Sequence, residues 1–352
     1  MIDFKHLYAI DRFDFANFYN NVKSNDWPEC VSIHDFGSLP HRIQTECIET
    51  HNLIGHIEQC DNTSIDNNRV VVPHLEWHAA HACNFTCESC AHFSNHRHNS
   101  IVTAQELEKW FTPWIDKLVP RQMAVLGGEP LLNKQIIDII RLSRSMWSSI
   151  DNQKFELVTN GFLLHRYPDL PKVLAETNCR LIISYHGKGE QYIKKLNQVL
   201  DLVTEWKKEW GISVRTEHPK SKNVGPWTRV FRGYGDRMQP FNDNNPGESW
   251  KNCPTGQNCF QLYNSAIWKC APLAYLPMQA EKYQLDSTWD PYLAYQPLAA
   301  GSSQDEIRRF YNRGSESYCA MCPSQTVRFE KRDPTIPRSY YENNIDFSAE
   351  PV

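Results

Sequence analysis

Residues 83–90 read Cys83-Asn-Phe-Thr-Cys87-Glu-Ser-Cys90, and this stretch decides how the rest of the chain is interpreted. Three thiols at C-x3-C-x2-C spacing can converge on one side of a short loop. Thiolates are the ligands of iron–sulfur clusters, and cysteines two residues apart serve zinc as readily. In a cubane cluster, three protein ligands would leave one iron open to another molecule. The stretch therefore predicts a metal site, and its surroundings must decide which metal.

A second motif, Gly127-Gly128-Glu129-Pro130, follows directly after the apolar run 123–126. Two glycines allow the backbone to approach a ligand without interference from Cβ atoms. The carbonyl oxygens and the Glu129 carboxylate can accept hydrogen bonds from an ammonium group, while Pro130 fixes the exit from the strand. Taken alone, the motif is equally typical of an ordinary turn from a strand to a helix.

Together, the cysteine triplet and the GGEP motif resemble the radical S-adenosylmethionine (SAM) superfamily. That family carries C-x3-C-x2-C in the loop after the first barrel strand and GGEP at the end of the second. The resemblance implies that Cys83, Cys87 and Cys90 hold a [4Fe-4S] cluster whose open iron chelates SAM. It also implies that residues 127–130 bind the amino group of SAM. The family commonly contacts the ribose or the methionine carboxylate at positions that correspond to Thr159, Asn160 and Ser184.

The composition limits the other classes of function. Twelve cysteines in 352 residues, with no apolar signal segment at the start, argue against a disulfide framework and predict a cytoplasmic location. The net charge of −4 gives no indication of a nucleic-acid partner. No run approaches the roughly 18 apolar residues that indicate a membrane span. We therefore expect neither a nucleic acid nor a membrane as a partner.

From about residue 71, strand patterns alternate with helix patterns, which predicts an α/β fold with parallel βα units. Five such repeats fit a partial (β/α)6 barrel of the kind the resemblance implies. Reactive groups in such barrels lie at the carboxyl ends of the strands. Cys83, Gly127, Thr159 and His186 all follow predicted strands. The predicted strands are 73–82, 122–127, 154–158, 180–184 and about 212–216; the predicted helices are one opened by the capping box Thr103-Ala-Gln-Glu106, one at 134–147 capped by Asn133, and one at 189–210.

The chain divides into four predicted regions. Composition and pattern predict a mainly helical segment at 1–70, the barrel at 71–235 and an extended, proline-containing tail at 331–352, while the resemblance implies an auxiliary-cluster region at 236–330.

A second constellation of five cysteines lies in the third region. Residues 259–270 read as a hairpin with a cysteine near each end, and Cys319-Ala-Met-Cys322 is a C-x2-C pair. The arrangement resembles the SPASM or shorter twitch extensions of radical SAM enzymes, which bind an auxiliary iron–sulfur cluster. It departs from them at the hairpin turn, where Asn264-Ser265-Ala266 replaces the usual glycine. The members of the constellation are Cys253, Cys259, Cys270, Cys319 and Cys322.

From this resemblance we predict an auxiliary [4Fe-4S] cluster held by Cys259, Cys270, Cys319 and Cys322. Two alternatives remain open, a zinc site in the same place and a cluster that uses Cys253 in place of one hairpin thiol. Cys253 is otherwise an inert buried thiol or a hydrogen-atom donor to a substrate radical, as an epimerase would need.

The resemblance implies reductive cleavage of SAM to methionine and a 5′-deoxyadenosyl radical that removes a hydrogen atom from a substrate. An external donor such as flavodoxin or ferredoxin would supply the electron. We expect a small polar metabolite to be oxidised or epimerised, because residues 1–60 lack the pattern of a peptide-recognition domain. The alternatives are a maturase that modifies or crosslinks a ribosomally made peptide and, from another class, a zinc-stabilised binding protein.

Overall fold

The computed structural model describes residues 63–147, 149–150, 153–216, 227–253, 258–329 and 334–335. Most of the predicted helical segment 1–70 and of the predicted tail 331–352 lies outside these residues. In the small described part of the first segment, Ser64–Asp66 is a strand (β1) rather than part of a helix. It pairs antiparallel with the beginning of the next strand, so this part belongs to the sheet.

The parallel sheet predicted from the sequence is confirmed. Five neighbouring strands of the sheet are parallel, and a helical connection joins each of them to the next of the five in the sequence. The α/β fold class is therefore correct. The strands are β2 Arg69–Ala80, β3 Leu118–Gly127, β4 Lys154–Thr159, β5 Cys179–Ile183 and β6 Val214–Thr216.

Eight α-helices occur in the described part of the chain. The first begins at the Thr103 capping box, in which the Thr103 hydroxyl accepts from the Glu106 amide and the Glu106 carboxylate accepts from the Thr103 amide, as predicted. In the described ranges, no helix combines the length and the apolar composition needed to cross a membrane. The helices are α1 Ala104–Phe111, α2 Ile136–Met146, α3 Leu170–Glu176, α4 Glu190–Trp210, α5 Pro246–Lys251, α6 Ala271–Lys282, α7 Asp290–Leu293 and α8 Gln304–Tyr311.

Strands β2 and β3 begin four residues earlier than predicted. The runs 70–72 and 118–119 are buried and pair with each other. Pro120 lies within the extension of β3 and Pro73 directly after that of β2, although proline is disfavoured in the interior of a strand. The free energy gained by burying these apolar runs outweighs the loss of the backbone hydrogen bonds that the two prolines cannot donate.

Asn133 does not cap α2 as predicted, because Gln135 occupies the cap position. Its side-chain amide instead donates to the carbonyl oxygens of Ala79 (2.8 Å) and Val102 (2.7 Å). Asn133 thus fastens the end of β2 to the segment that leads into α1.

The predicted C-terminal hairpin is present as β8 (Gln261–Tyr263) and β9 (Ala266–Trp268). Its two turn residues, Asn264 and Ser265, both have positive φ, as a type I′ turn requires, and asparagine tolerates this conformation without glycine. Strand β8 lies parallel to β2, with Gln261 opposite Glu76. The hairpin therefore extends the main sheet at the edge opposite β6. The remaining described strands, β7 (Trp227–Thr228) and β10 (Arg328–Phe329), pair separately.

The two faces of β2 have different surroundings, because side chains alternate along a strand. Trp77 packs on the helix layer, with its ring 4.8 Å from Phe111 and 6.3 Å from Trp147. On the other face, the His78 ring stacks on Tyr275 of α6 at 4.0 Å, and Glu76 lines a cavity. Aromatic side chains thus anchor one face of β2, and Glu76 on its other face lines the cavity.

Candidate functional site

A cavity of about 560 Å³ lies at the carboxyl ends of β2 to β5, a volume typical of small-molecule sites. Five of the seven residues predicted to bind the cofactor line it, together with all three cysteines of the triplet. The predicted residues in its wall are Cys83, Cys87, Cys90, Gly127, Gly128, Thr159, Asn160 and Ser184.

The triplet sulfurs lie next to polar groups of their own loop and of the segment that follows β5. The Phe85 amide donates to Cys83 Sγ at 3.3 Å, and Cys87 Sγ lies 3.4 Å from His186 Nδ1. Burial raises the pKa of the Cys90 thiol, while the backbone amides of residues 92, 94 and 95 lower it. A sulfur that receives several amide hydrogen bonds in a shielded setting suits a thiolate bound to iron.

The GGEP backbone is joined directly to the strand end that leads into the cysteine loop. The Gly128 amide donates to Ala80 O and the Glu129 amide to Ala82 O, each at 2.8 Å. A Cβ atom on Gly127 would lie 2.2 Å from Ala80 O, and one on Gly128 would lie 2.3 Å from Ala82 O. The glycines are therefore required for this approach, which fixes the cysteine loop against the end of β3.

We expect Gly128→Ala to lose most SAM binding, because the added methyl group must displace the backbone beside Cys83. Equilibrium dialysis with SAM under anaerobic conditions measures the effect. Gly301→Ala is the matched control, since a Cβ atom there has no neighbour within 4 Å. Unchanged affinity in the Gly128 variant would contradict the importance of this contact.

Glu129 and Pro130 are not among the described residues that line the cavity. The Glu129 carboxylate instead accepts from Thr159 Oγ1 at 2.5 Å and from the amides of Asn160 (2.9 Å) and Leu131 (3.1 Å). Pro130 opens the 3-10 helix Pro130–Leu132. Glu129 therefore ties the ends of β3 and β4 together, a role different from the predicted contact with an ammonium group.

Complete burial raises the pKa of Glu129 to about 7, although the three hydrogen bonds favour ionisation. The native state then binds more protons than the unfolded state between the ordinary pKa of 4.5 and 7. Stability conferred by the protonated carboxyl is present below pH 4.5 and is lost as the pH rises to 7. The loss is about 3 kcal/mol, at 1.36 kcal/mol for each pKa unit.

Glu129→Gln removes this titration. We expect the free energy of unfolding of the native protein to fall more steeply from pH 5 to pH 8 than that of the variant. Urea denaturation of both proteins at the two pH values measures the difference. Equal pH dependence in the two proteins would show that Glu129 is not the titrating group.

The remaining predicted contacts link the strand ends to the cysteine loop. Asn160 Nδ2 donates to Asn84 Oδ1 at 2.8 Å, next to Cys83. The Ser184 amide donates to Thr159 O at 2.9 Å. Since these residues also line the cavity, one network sets the positions of the cysteine loop and of β4 and β5.

A second thiol group forms in the C-terminal region. Four cysteines surround a small cavity of about 40 Å³. Cys319 lies in the 3-10 helix Ser317–Met321, and Ser249 of α5 donates to Cys322 O at 2.9 Å. Cys270 stands directly before α6, where helix amides face it. The four cysteines are Cys253, Cys270, Cys319 and Cys322.

Burial and repulsion between neighbouring thiolates raise the pKa values of Cys270, Cys319 and Cys322. The pKa of Cys270 is raised to about 12, first by burial and then by Cys253 and Cys319. Lys269 opposes the rise; it is buried, with its ammonium group 4.4 Å from the Trp250 ring and 2.7 Å from Gly314 O. Several thiolates in one buried cavity repel one another unless a bound cation balances their charge. The four cysteines are therefore suited to bind a metal.

The structure does not bring Cys259 into this group. Its thiol donates to Glu76 Oε1 at 2.9 Å, and the residue lines the main cavity instead. The structure thus groups Cys253, rather than the predicted Cys259, with Cys270, Cys319 and Cys322, an arrangement that matches the alternative in which Cys253 replaces one hairpin thiol. Cys253 does not line the main cavity in the described chain, so its position does not support the predicted role of hydrogen donor.

Sequence reasoning missed Glu76 as a cavity residue, whereas His92, which also lines the cavity, was a candidate because it closely follows the cysteine loop. Their ligand atoms and that of Cys259 lie within 4.8 Å of one another. A carboxylate inside the otherwise apolar and aromatic strand β2 was the available signal, because buried acids are rare without a purpose. Thr228 and Val230, which also line the cavity, follow a stretch without regular pattern and gave no signal.

Comparison with known proteins gave two curated relatives, and no family model matches the chain. A GTP 3′,8-cyclase of Microcystis aeruginosa is 31% identical over 104 residues, which cover 28% of this chain and 30% of that protein. A protein of Sulfurisphaera tokodaii named "Probable GTP 3′,8-cyclase" is 28% identical over 149 residues, 42% of this chain and 43% of that protein. The chain thus spans less than half of either relative. The predicted resemblance to the radical SAM superfamily is confirmed.

Two solved structures illustrate the more distant similarity. One is anSMEcpe with bound AdoMet and Cp18Cys peptide, at 20% identity, 41% coverage of this chain, 42% of that chain and a TM-score of 0.31. The other is SuiB of Streptococcus suis bound to its precursor peptide SuiA, at 12% identity, 80% coverage of each chain and a TM-score of 0.29.

Proposed function

We propose that this radical SAM relative holds a [4Fe-4S] cluster through Cys83, Cys87 and Cys90 and cleaves SAM reductively beside it. The observation that carries the proposal is that these three cysteines line one cavity with the paired glycines of residues 127–128. Bound there, the cluster and SAM would supply a 5′-deoxyadenosyl radical for hydrogen abstraction. An external low-potential donor such as flavodoxin or ferredoxin supplies the electron.

The chain's own contribution is position and shielding. The amide hydrogen bonds around the triplet sulfurs hold the loop that would carry the cluster. Asn160 and Ser184 offer polar atoms at the ends of β4 and β5, where they would contact SAM. The strand ends thereby orient the cofactor and keep water from the reacting carbon.

We further propose an auxiliary cluster at Cys253, Cys270, Cys319 and Cys322. Four thiols around one cavity supply the four ligands that either a zinc ion or a cubane cluster takes. The hairpin and the C-x2-C pair resemble the auxiliary-cluster extensions, which favours the cluster.

The proposed substrate is a small polar metabolite that is neutral or cationic. Glu76 is the one carboxylate among the described residues that line the cavity, and these residues include neither lysine nor arginine. Their charge favours a hydroxyl or ammonium group over a triphosphate, which sets the proposal apart from the activity named for the curated relatives. Oxidation and epimerisation both fit this chemistry.

Anaerobic purification followed by iron, sulfide and zinc analysis tests the proposal. We expect about eight iron atoms for each chain, as two cubane clusters require, and formation of methionine and 5′-deoxyadenosine when dithionite and SAM are added. Zinc without iron would favour a binding protein. Mass comparison of metabolite and peptide extracts from cells with and without the active protein would identify the substrate, and a modified peptide would favour a maturase.

A further inference from the structure

Cys259 is separated from the other thiols of its region by the direction it faces. Cys253, Cys270, Cys319 and Cys322 surround the small C-terminal cavity, whereas Cys259 lies in the wall of the cavity that also contains the cysteine triplet. A thiol in a cavity proposed for radical chemistry, outside both proposed ligand sets, can react with whatever occupies that cavity.

The Cys259 thiol is paired with a carboxylate rather than exposed alone. It donates to Glu76 Oε1 at 2.9 Å, and Gln261 Nε2 lies 3.3 Å from the sulfur. Register fixes this arrangement, because Glu76 on β2 stands opposite Gln261 on β8 and the Glu76 amide donates to Phe260 O at 3.0 Å. Glu76 also lines the cavity and is 6% exposed. The pairing of β2 with β8 therefore fixes the positions of Glu76 and Cys259 relative to each other.

The pair keeps its sulfur protonated. Burial, followed by the charge of Glu76, raises the pKa of Cys259 well above its ordinary value. An S–H bond is weaker than the C–H bonds of most metabolites, so a protonated thiol transfers a hydrogen atom to a carbon radical. A thiolate has no hydrogen atom to give.

We propose that the Cys259–Glu76 pair is a hydrogen-atom donor site, in which Cys259 quenches a carbon radical in the cavity and the Glu76 carboxylate relays a solvent proton that restores the thiol. This inference rests on the proposed SAM cleavage and deepens it. It transfers to Cys259 the donor role that the sequence suggested for Cys253.

The Cys259 S–H bond breaks homolytically, a C–H bond forms on the substrate radical, and a thiyl radical remains on sulfur. One electron from a low-potential donor of the class that reduces the SAM cluster converts the thiyl radical to a thiolate. Solvent supplies one proton, which the Glu76 carboxylate relays to the thiolate. The substrate gains back the hydrogen it lost, so its net change is one of configuration and not of oxidation state.

SAM alone serves as the probe, because a 5′-deoxyadenosyl radical formed without substrate takes its hydrogen from the nearest donor. The holoenzyme is exchanged into D2O, so that the thiol becomes S–D, and reduced with dithionite in the presence of SAM. The deuterium content of the 5′-deoxyadenosine is then measured by mass spectrometry. Wild type, Cys259→Ala and Cys259→Ser are compared. Cys179→Ala, which removes a buried thiol on β5, is the matched control.

We expect most of the 5′-deoxyadenosine from wild type and from Cys179→Ala to carry deuterium, with a several-fold lower fraction in both Cys259 variants. Serine keeps the hydrogen bond to Glu76 but its O–H bond is too strong to donate. Iron content and SAM affinity of the variants verify the fold.

Two results would overturn the inference while SAM cleavage stands, namely unlabelled product from wild type or undiminished label in the Cys259 variants. Stoichiometric zinc that is lost from Cys259→Ser would likewise overturn it, since Glu76, His92 and Cys259 would then be metal ligands. Absence of 5′-deoxyadenosine from wild type would instead refute the proposed function. The amount of product and its label therefore separate the two failures.

Discussion

Replacement of Cys83, Cys87 and Cys90 together by alanine is expected to abolish the formation of 5′-deoxyadenosine from SAM under dithionite. All three residues line the main cavity, and the variant lacks the three thiolates that are proposed to hold an iron cluster next to the paired glycines. Anaerobic incubation with SAM, followed by chromatography of the nucleoside products, measures the loss. About four iron atoms for each chain should disappear with the activity, since a cubane cluster contains four.

The C-terminal thiols provide the control for this triple variant. These thiols surround a separate cavity. The triple variant should therefore retain the iron bound there, together with the sulfur-to-iron charge-transfer absorption of that iron. Continued formation of 5′-deoxyadenosine by the triple variant would refute the assignment of the cluster to these cysteines.

The second large effect is expected at the C-terminal thiol group. Changing Cys319 and Cys322 to alanine should remove about half of the bound iron, because one of the two proposed cubane clusters would be lost. Some SAM cleavage without substrate turnover should persist, since the main cavity is unchanged. Iron analysis of the anaerobically purified variant, together with the yield of 5′-deoxyadenosine, measures both effects.

Single serine variants of Cys253 and Cys259 form a matched pair for the ligand set. Cys253 borders the C-terminal cavity and Cys259 does not. We therefore expect Cys253→Ser to lose cluster iron and Cys259→Ser to keep it. The opposite result would restore the ligand set that the sequence suggested.

Much of the fold follows from local sequence. The Thr103 capping box, the apolar spacing of α4 and the β-branched run of β5 each specify their element without help from distant residues. The same holds for the two motifs, whose spacing alone places three thiols and two glycines at neighbouring strand ends. Their carboxyl ends meet because parallel strands in one sheet point the same way.

The rest depends on contacts between residues far apart in the chain. Cys253 and Cys259 are six positions apart in the same region, and nothing local distinguishes a thiol that faces the C-terminal cavity from one that faces Glu76. The distinction arises from the pairing of β8 with β2, which turns Cys259 toward the main cavity. Glu129 is a similar case. Its carboxylate accepts hydrogen bonds from the turn that follows it and from the end of β4. It is fully buried and does not line the cavity in the described part of the chain.

The pairing of β8 with β2 also has a consequence for how the protein is made. Strand β2, which leads into the cysteine loop, gains its partner at Gln261 only after nearly two hundred further residues have been translated. Until the ribosome has released that hairpin, one flank of the sheet has unsatisfied amides and can pair with other nascent chains. A version of the gene cut after codon 235 would leave this flank open permanently. We expect its product to accumulate in inclusion bodies, even though it encodes every residue of the cysteine triplet and of the GGEP motif.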